Sequence, residues 1–174
     1  MADEQNNTQG NNGNAAAPGT AQQSLQIVKV YLKDVSFEAP ETPGAFRGEW
    51  RPEVNVELGS AARRIDDSSY EVALTSTVTA KNGEVTAYVC EVKQAGIFRI
   101  TGFNEGDINT VLGAYCPAQL FPFLREEISD LVVKGGFPQL LLAPVNFEAL
   151  YLQQQRKQQE GGAGAGQPAD AGEQ

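Results

Sequence analysis

EVTAYVCEVKQAGIF, residues 84–98, is the stretch of sequence that decides the fold. In a β-strand, successive side chains point to opposite faces of the sheet. One face of this strand carries Tyr88, Cys90 and Val92. The other face begins apolar and then becomes charged: Val85, Ala87, Val89, Glu91 and Lys93. The strand is therefore apolar on both faces through its middle. One face must cover the core of the domain, and we expect the other to meet a partner.

The chain before this strand predicts three more strands. In the first, Leu25 to Phe37, one face is predicted to carry the apolar side chains: Leu25, Ile27, Tyr31, Val35 and Phe37. The other face carries the polar ones: Asp34, Ser36 and Glu38. The second alternates Val54, Val56 and Leu58 with polar residues, and the third runs from Tyr70 to Ala80. We expect Asn82-Gly83 to form a hairpin turn into the strand quoted above, because both residue types tolerate positive φ.

The chain after this strand predicts two helices. The first begins near Gly106-Asp107 and ends at Lys134-Gly135-Gly136. We expect Pro117 and Pro122 to kink or restart it, because each proline removes a backbone donor. The second is short and has Asn146 as its N-cap. Strands followed by helices indicate an α+β fold: a four-stranded antiparallel sheet, then a long kinked helix and a short C-terminal helix. We place this domain at residues 24–159, with disordered tails at 1–23 and 160–174.

Composition excludes several classes of function. The chain has 174 residues and a formal net charge of −9, so it is a poor ligand for nucleic acid or anionic membrane. It has no histidine, which removes the Ser-His and Cys-His couples and His-ligated zinc. No apolar run is long enough to span a membrane and the N-terminus is acidic, so we expect a cytoplasmic protein. Cys90 and Cys116 are expected to be reduced and buried.

The predicted helices are too narrow to cover the predicted sheet. Four strands span roughly 15–20 Å, whereas one helix is about 10–12 Å across with its side chains. We therefore expect part of the apolar face, together with the connection between the first two strands, to remain open as a groove or to be met by another subunit. The residues concerned are Phe46, Trp50, Val54, Val56 and Leu58.

The opposite face of the predicted sheet is acidic. Its carboxylates are those of Asp34, Glu38, Glu53, Glu57, Glu71 and Glu91. One interpretation is an ordinary solvated face, which is polar in most proteins. The other is a docking surface for a basic partner, favoured by Val89 beside Glu91, since an apolar residue inside a charged patch suits a binding hot spot.

Six segments of the chain, in order, resemble the SecB family of bacterial protein-export chaperones. They are YLKDVSFEAP (31–40), WRPEV (50–54), CEVKQAGIF (90–98), LGAYCP (112–117), LFPFLRE (120–126) and FPQLLLAPVNFEALY (137–151). The resemblance spans about residues 25 to 155. It implies an ATP-independent holdase without a cofactor, which binds unfolded secretory precursors and hands them to the motor ATPase SecA. It also implies a homotetramer, built as a dimer of dimers with the helices between two sheets.

The resemblance also implies roles for particular residues. Asp34, Glu38, Val89 and Glu91 match the family's contact surface for SecA, whose small basic zinc-binding tail docks there; the zinc belongs to that partner. Cys90, Val92 and Gln94 match positions that affect subunit association. Trp50 matches the client groove, together with three residues of the second strand: Val54, Val56 and Leu58.

Three other functions are compatible with parts of the sequence. Asp66-Asp67 could serve as an acid-base pair, although Asp-Asp-Ser-Ser is ordinary turn sequence. The domain could instead be an adaptor or binding module for a single folded cytoplasmic partner, which would bind native proteins and ignore denatured ones. Cys90 and Cys116 could be redox partners, although buried structural thiols are the commoner use.

Overall fold

The computed structural model describes residues 22–162 and contains the four antiparallel strands that the sequence predicts. The strands are β1 (Ser24–Glu38), β2 (Glu53–Arg64), β3 (Ser69–Asn82) and β4 (Val85–Thr101). They lie in the order β1-β4-β3-β2, so β4 and β3 are central and β1 and β2 form the two edges. The stretch 84–98 therefore forms most of a central strand.

The helical part follows the sheet, which confirms the α+β fold. Helix α1 (Glu105–Thr110) continues through a π-helical turn (Val111–Tyr115) into α2 (Cys116–Lys134), and α3 (Phe147–Gly162) follows. A new α-helical segment does begin beside Pro117. Proline is tolerated in a first helical turn, because the N–H that it lacks would have no intrahelical partner there. At Pro122 the helix instead continues, because Phe121 and Leu124 on either side are buried against the core.

One stripe of α2 forms the core with the two central strands. Leu120, Leu124, Ile128 and Val132 recur every four residues, so they share one face of the helix, and all four are fully buried. They belong to one apolar cluster with the helix-facing side chains of β3 and β4. At Gly96 on β4 an added Cβ would lie 3.0 Å from Leu120, so the missing side chain lets the helix approach the sheet closely.

Strand β1 differs from the predicted alternation. Its pairing with β4 shifts by one residue between Ile27 and Lys29 and again between Leu32 and Asp34. Each bulge moves the following side chains to the opposite face. Tyr31, predicted on the apolar face, therefore lies on the open face of the sheet, whereas Leu32 lies on the helix side. The predicted faces of Leu25, Val35 and Phe37 outside the shifted segment are correct.

The hairpin between β3 and β4 is displaced by one residue from the prediction. Asn82 pairs with Val85, so the two loop residues are Gly83 and Glu84, and Gly83 carries the positive φ of 66°. Glycine at the first loop position is the requirement of a type II′ turn. Asn82 is thereby freed for a different contact, described below.

The end of α2 and the start of α3 agree with the sequence. Gly136 takes a φ of 84° just after α2, and Asn146 caps α3 by accepting a hydrogen bond from the Ala149 N–H at 3.0 Å. The first helix begins slightly earlier than predicted, with Asn104 as its cap. Helix α3 is described to Gly162, past the predicted domain end at 159, and the predicted tails lie largely outside the described residues.

Candidate functional site

The helices leave both edges of the apolar sheet face exposed, as the width of the sheet predicts. Helix α2 packs mainly on β4 and β3. On edge strand β2, Val54 and Val56 face the helix side, and Val56 remains 39% exposed. On edge strand β1, three helix-side residues are exposed to a similar degree: Ile27, Leu32 and Val35. These two rows are called the edge strips below.

An aromatic cluster lies beside the edge strip of β2, where that strand begins. Phe46, Trp50 and Tyr88 surround Phe137, with ring centroids 5.1, 5.4 and 5.0 Å from its ring, and Phe37 stacks on Tyr88. Phe46 is 51% exposed, although its ring packs on the cluster. A cavity of about 320 Å³ opens between the connection that carries Phe46 and Trp50 and the segment that follows α2. The structure thus brings these two predicted groove residues into one aromatic pocket.

Asn82 holds the backbone on both sides of Trp50. Its side-chain carbonyl accepts a hydrogen bond from the Arg51 N–H at 3.0 Å, and its amide group donates to the Glu49 carbonyl, also at 3.0 Å. Both bonds join residues more than 30 positions apart in the chain. The indole is therefore positioned by the β3–β4 hairpin rather than by its own loop.

The remaining predicted groove residue, Leu58, has a different environment. It is half-buried and lies with Leu74 and Phe147 near the start of α3. Of the five predicted groove residues, Phe46 and Trp50 line the aromatic pocket and Val54 and Val56 form an edge strip. Leu58 is partly covered by the chain's own helix.

Sequence reasoning missed a larger cavity, of about 910 Å³, between α2 and the extended segment that follows it. Its apolar lining includes Phe121, Val133 and Leu141, and Leu141 is 61% exposed. The segment is held to α2 by a hydrogen bond of 2.9 Å from the Gln139 amide to the Ser129 hydroxyl. The apolar run LLLAPV, interrupted by a proline and hence extended, is the signal that could have indicated this surface.

The four residues predicted to contact SecA lie together on the open face of the sheet. Glu38 is opposite Val89, Ser36 is opposite Glu91, and Asp34 is opposite Lys93 on the β1–β4 ladder. Directly paired residues of antiparallel strands share a face, so these side chains form one patch across two neighbouring strands. Thr77 of β3 donates a hydrogen bond to Glu91 at 3.2 Å.

The second apolar face of β4 is smaller than predicted. Ala80 pairs with Tyr88 and Lys81 with Thr86, so Ala87 is an extra residue in a bulge, and it is fully buried. Of the predicted apolar row, the half-buried Val89 remains on the open face, whereas Val85 pairs with Asn82 and so lies on the helix side. The exposed apolar surface therefore lies mainly at the two edge strips and along α2, not on the open face of β4.

Glu71 does not contribute to an exposed acidic surface, contrary to the sequence prediction. Its side chain is only 5% exposed and receives hydrogen bonds from Tyr31, Lys33 and Arg63. The Lys33 Nζ lies 2.9 Å from both carboxylate oxygens. These contacts lower the pKa of Glu71 to about 2; the hydrogen bond from Tyr31 contributes most, and the hydrogen bond from Lys33 comes next. This carboxylate joins β1, β3 and β2, and its charge is balanced locally.

Cys90, Val92 and Gln94 lie beneath the helices. The first two are fully buried and Gln94 is 6% exposed, so their side chains do not reach the surface of this chain. An effect of these residues on subunit association would therefore be indirect, for example through the packing of α2 on β4. Burial raises the pKa of the Cys90 thiol to about 11 and that of Cys116 to about 12, so both are protonated and poor nucleophiles.

Asp66 has a structural role in the turn before β3. Its carboxylate accepts hydrogen bonds from the N–H groups of Ser68 and Ser69 at 2.9 and 2.8 Å, which lowers its pKa. Such bonds are typical of an Asx turn. Within residues 22–162, no cluster of Cys, Asp and Glu side chains could hold a metal ion, and no helix is long and apolar enough to cross a membrane.

Comparison with known proteins gives one consistent result. Residues 18–159 match the sequence profile of the family described as preprotein translocase subunit SecB. The chain is 59% identical to the protein-export protein SecB of Halorhodospira halophila, over 94% of this chain and 96% of that protein. It is 54% identical to the protein-export protein SecB of Alkalilimnicola ehrlichii, over 95% and 91%.

A solved structure shares the fold. The SecB-like chaperone of Mycobacterium tuberculosis, in complex with a peptide from the HigA1 antitoxin, superimposes with a TM-score of 0.59 and 18% identity, over 70% of this chain and 90% of that one. SecB proteins are protein-export chaperones rather than enzymes. The chain described here belongs to the SecB family and is a chaperone for preprotein export.

Proposed function

We propose that the chain works in the cytoplasm as a homotetramer that binds unfolded segments of secretory precursors and delivers them to SecA. The observation that supports this most is the exposed apolar surface on the helix side of the sheet. It combines the two edge strips, the aromatic pocket and the cavity along α2. A domain with its own complete core would cover these side chains.

Client binding follows from the chemistry of these surfaces. An unfolded chain presents apolar side chains that a folded protein hides, and a shallow apolar pocket accepts different ones at about 1–3 kcal/mol each. The aromatic pocket around Phe137 would hold one such side chain, and the strip of Val54 and Val56 would hold others. Several weak contacts along one client add to tight binding that rearranges easily, without ATP.

The same surfaces also suit subunit contacts. A tetramer built as a dimer of dimers, with the helices between two sheets, would cover the exposed outer side of α2, where Phe123 and Val133 are about half exposed. Cys90, Val92 and Gln94 would influence this assembly through the packing of α2 on β4. The open face would stay free on the outside of the tetramer.

SecA would dock on the open face through its basic zinc-binding tail. Asp34, Glu38 and Glu91 supply negative charge, and Val89 supplies an apolar contact among them. Electrostatic complementarity of this kind raises association rates and fixes orientation. Because this patch lies on the opposite side of the sheet from the apolar pocket, client and motor could bind at the same time.

The client-binding proposal is tested with the double variant Trp50→Ala with Val56→Asp. We expect suppression of aggregation of a reduced, denatured precursor to fall several-fold, because the variant removes the indole and charges the β2 strip. The control is Ile65→Asp, which places the same charge at an exposed apolar residue in the β2–β3 turn. Unchanged suppression by the double variant would refute the groove assignment.

The motor contact is tested with Asp34→Ala with Glu91→Ala. We expect weaker binding of the isolated zinc-loaded SecA tail in a calorimetric titration, with client binding unchanged. The control is Glu105→Ala with Glu126→Ala, which removes two exposed carboxylates from the helical side. Equal loss of tail and client binding would remove the assignment of the acidic patch.

A further inference from the structure

The open face of the sheet carries charges of opposite sign at its two ends. The end described above holds the acidic residues that face solvent: Asp34, Glu38, Glu53, Glu57 and Glu91. The other end holds the open-face bases of three strands: Lys29, Lys33, Arg63 and Arg99. The strand register places these bases together. Lys29 of β1 pairs with Ile97 of β4, Ile97 pairs with Glu71 of β3, and Glu71 pairs with Arg63 of β2.

Within residues 22–162, the carboxylates do not neutralise this basic end. Lys33 and Arg63 share the single carboxylate of Glu71. Lys29 and Arg99 are exposed, and neither forms a salt bridge with any described residue. In a chain with a net charge of −9, a patch in which bases outnumber the carboxylates of the described residues differs in sign from the chain as a whole.

The two ends are built alike. Val89 is a half-buried apolar residue among carboxylates, and Ile97 is a half-buried apolar residue among the bases. Both lie on the open face of β4, eight residues apart, which corresponds to about 27 Å along the strand. Each end therefore offers one apolar contact among charges mostly of one sign; Lys81 and Lys93 are the bases at the acidic end, and Glu71 is the carboxylate at the basic end.

We propose that the basic end is a second contact for the motor partner and takes an acidic segment of that protein. This inference rests on the proposed docking of the basic tail at the acidic end. A partner with both segments could dock in only one direction, because the reverse orientation would place like charges together. Two modest contacts on one partner also bind more tightly than either contact alone.

The proposal is tested with the charge reversal Lys29→Glu with Arg99→Glu in the full chain. The two probes are full-length SecA and its isolated zinc-loaded tail. We expect affinity for full-length SecA to fall about tenfold at low salt, corresponding to about 1.4 kcal/mol, while affinity for the tail is unchanged. The loss should shrink as salt is added, because exposed charges are screened.

Controls separate this contact from general charge effects and from the acidic end. Arg156→Glu with Lys157→Glu makes the same change in net charge on exposed residues of α3, and it should leave affinity for SecA unchanged. The milder variant Lys29→Gln with Arg99→Gln should show the same loss to a smaller degree. Unchanged affinity for full-length SecA, or an equal loss for the tail, would overturn the proposal. Loss of tail binding in Asp34→Ala with Glu91→Ala tests the acidic end independently.

Discussion

Glu71 is expected to be the most important charged residue for the stability of the sheet. Its carboxylate is almost fully buried on the open face and joins three strands through Tyr31, Lys33 and Arg63. The depression of its pKa from 4.5 to about 2 would correspond to about 3 kcal/mol of stability at neutral pH. The side chains of Lys33 and Arg63 are 38% and 71% exposed, so solvent screening reduces this figure to about 2 kcal/mol.

The test is Glu71→Gln, which keeps the shape of the side chain and removes its charge. Because the folded-state pKa is depressed, the stabilisation is fully present above pH 4.5 and is lost as the pH falls toward 2. We therefore expect urea denaturation at a fixed protein concentration to show a loss of about 2 kcal/mol at pH 7. The difference from the unmodified chain should become smaller at pH 3.5.

The matched control is Glu57→Gln. Glu57 belongs to strand β2, lies on the same open face of the sheet as Glu71, and is exposed to solvent. Its only side-chain hydrogen bond within the described residues is a long one of 3.4 Å from Asn55, so we expect little change in stability. If Glu71→Gln proves as stable as Glu57→Gln at pH 7, the bridging role of Glu71 is wrong.

Two further predictions concern packing in the core. Gly135→Ala should lower the free energy of unfolding by about 1–3 kcal/mol, because the added Cβ would lie 2.3 Å from the Phe37 ring. The control is Gly59→Ala, whose added Cβ would have no atom within 4 Å. Equal stability of the two variants would argue against the contact between Gly135 and Phe37. Cys90 and Cys116 should react with iodoacetamide at pH 8 only when the chain unfolds, because burial raises both thiol pKa values to about 11 and 12. Fast alkylation of the native protein, followed by mass spectrometry, would contradict the buried placement.

The sequence predicts the elements that depend on local pattern. The four strands, the order of strands before helices, and the Asn146 cap all follow from alternation, helical spacing and turn chemistry. The exposed sheet edges follow from a comparison of widths. These features depend on residues close together in the chain, or on dimensions that any sheet and helix share.

The errors occur where contacts distant in sequence override local alternation. The two bulges in β1 carry no glycine or proline signal, and they place Tyr31 and Lys33 beside Glu71, 40 and 38 residues away. The bulge at Ala87 likewise removes a side chain from the predicted second apolar face. The sequence predicts an exposed acid at Glu71 because its two cationic partners, Lys33 and Arg63, come from other strands.

The sequence does not predict the cavity along α2, for a related reason. Its walls come from α2 and from an extended segment whose position depends on the contact between Gln139 and Ser129. The apolar residues of that segment are visible in the sequence, but their common exposure on one side of the helix depends on tertiary packing.

We propose that one chain leaves apolar surface uncovered, and that sister copies and unfolded clients cover it. Native mass spectrometry of the full chain, with and without a reduced, denatured precursor, tests this claim most directly. We predict a four-chain assembly that gains the mass of a bound precursor and does not bind the same protein once it is folded. A stable single chain whose mass is unchanged by the unfolded precursor would contradict the claim.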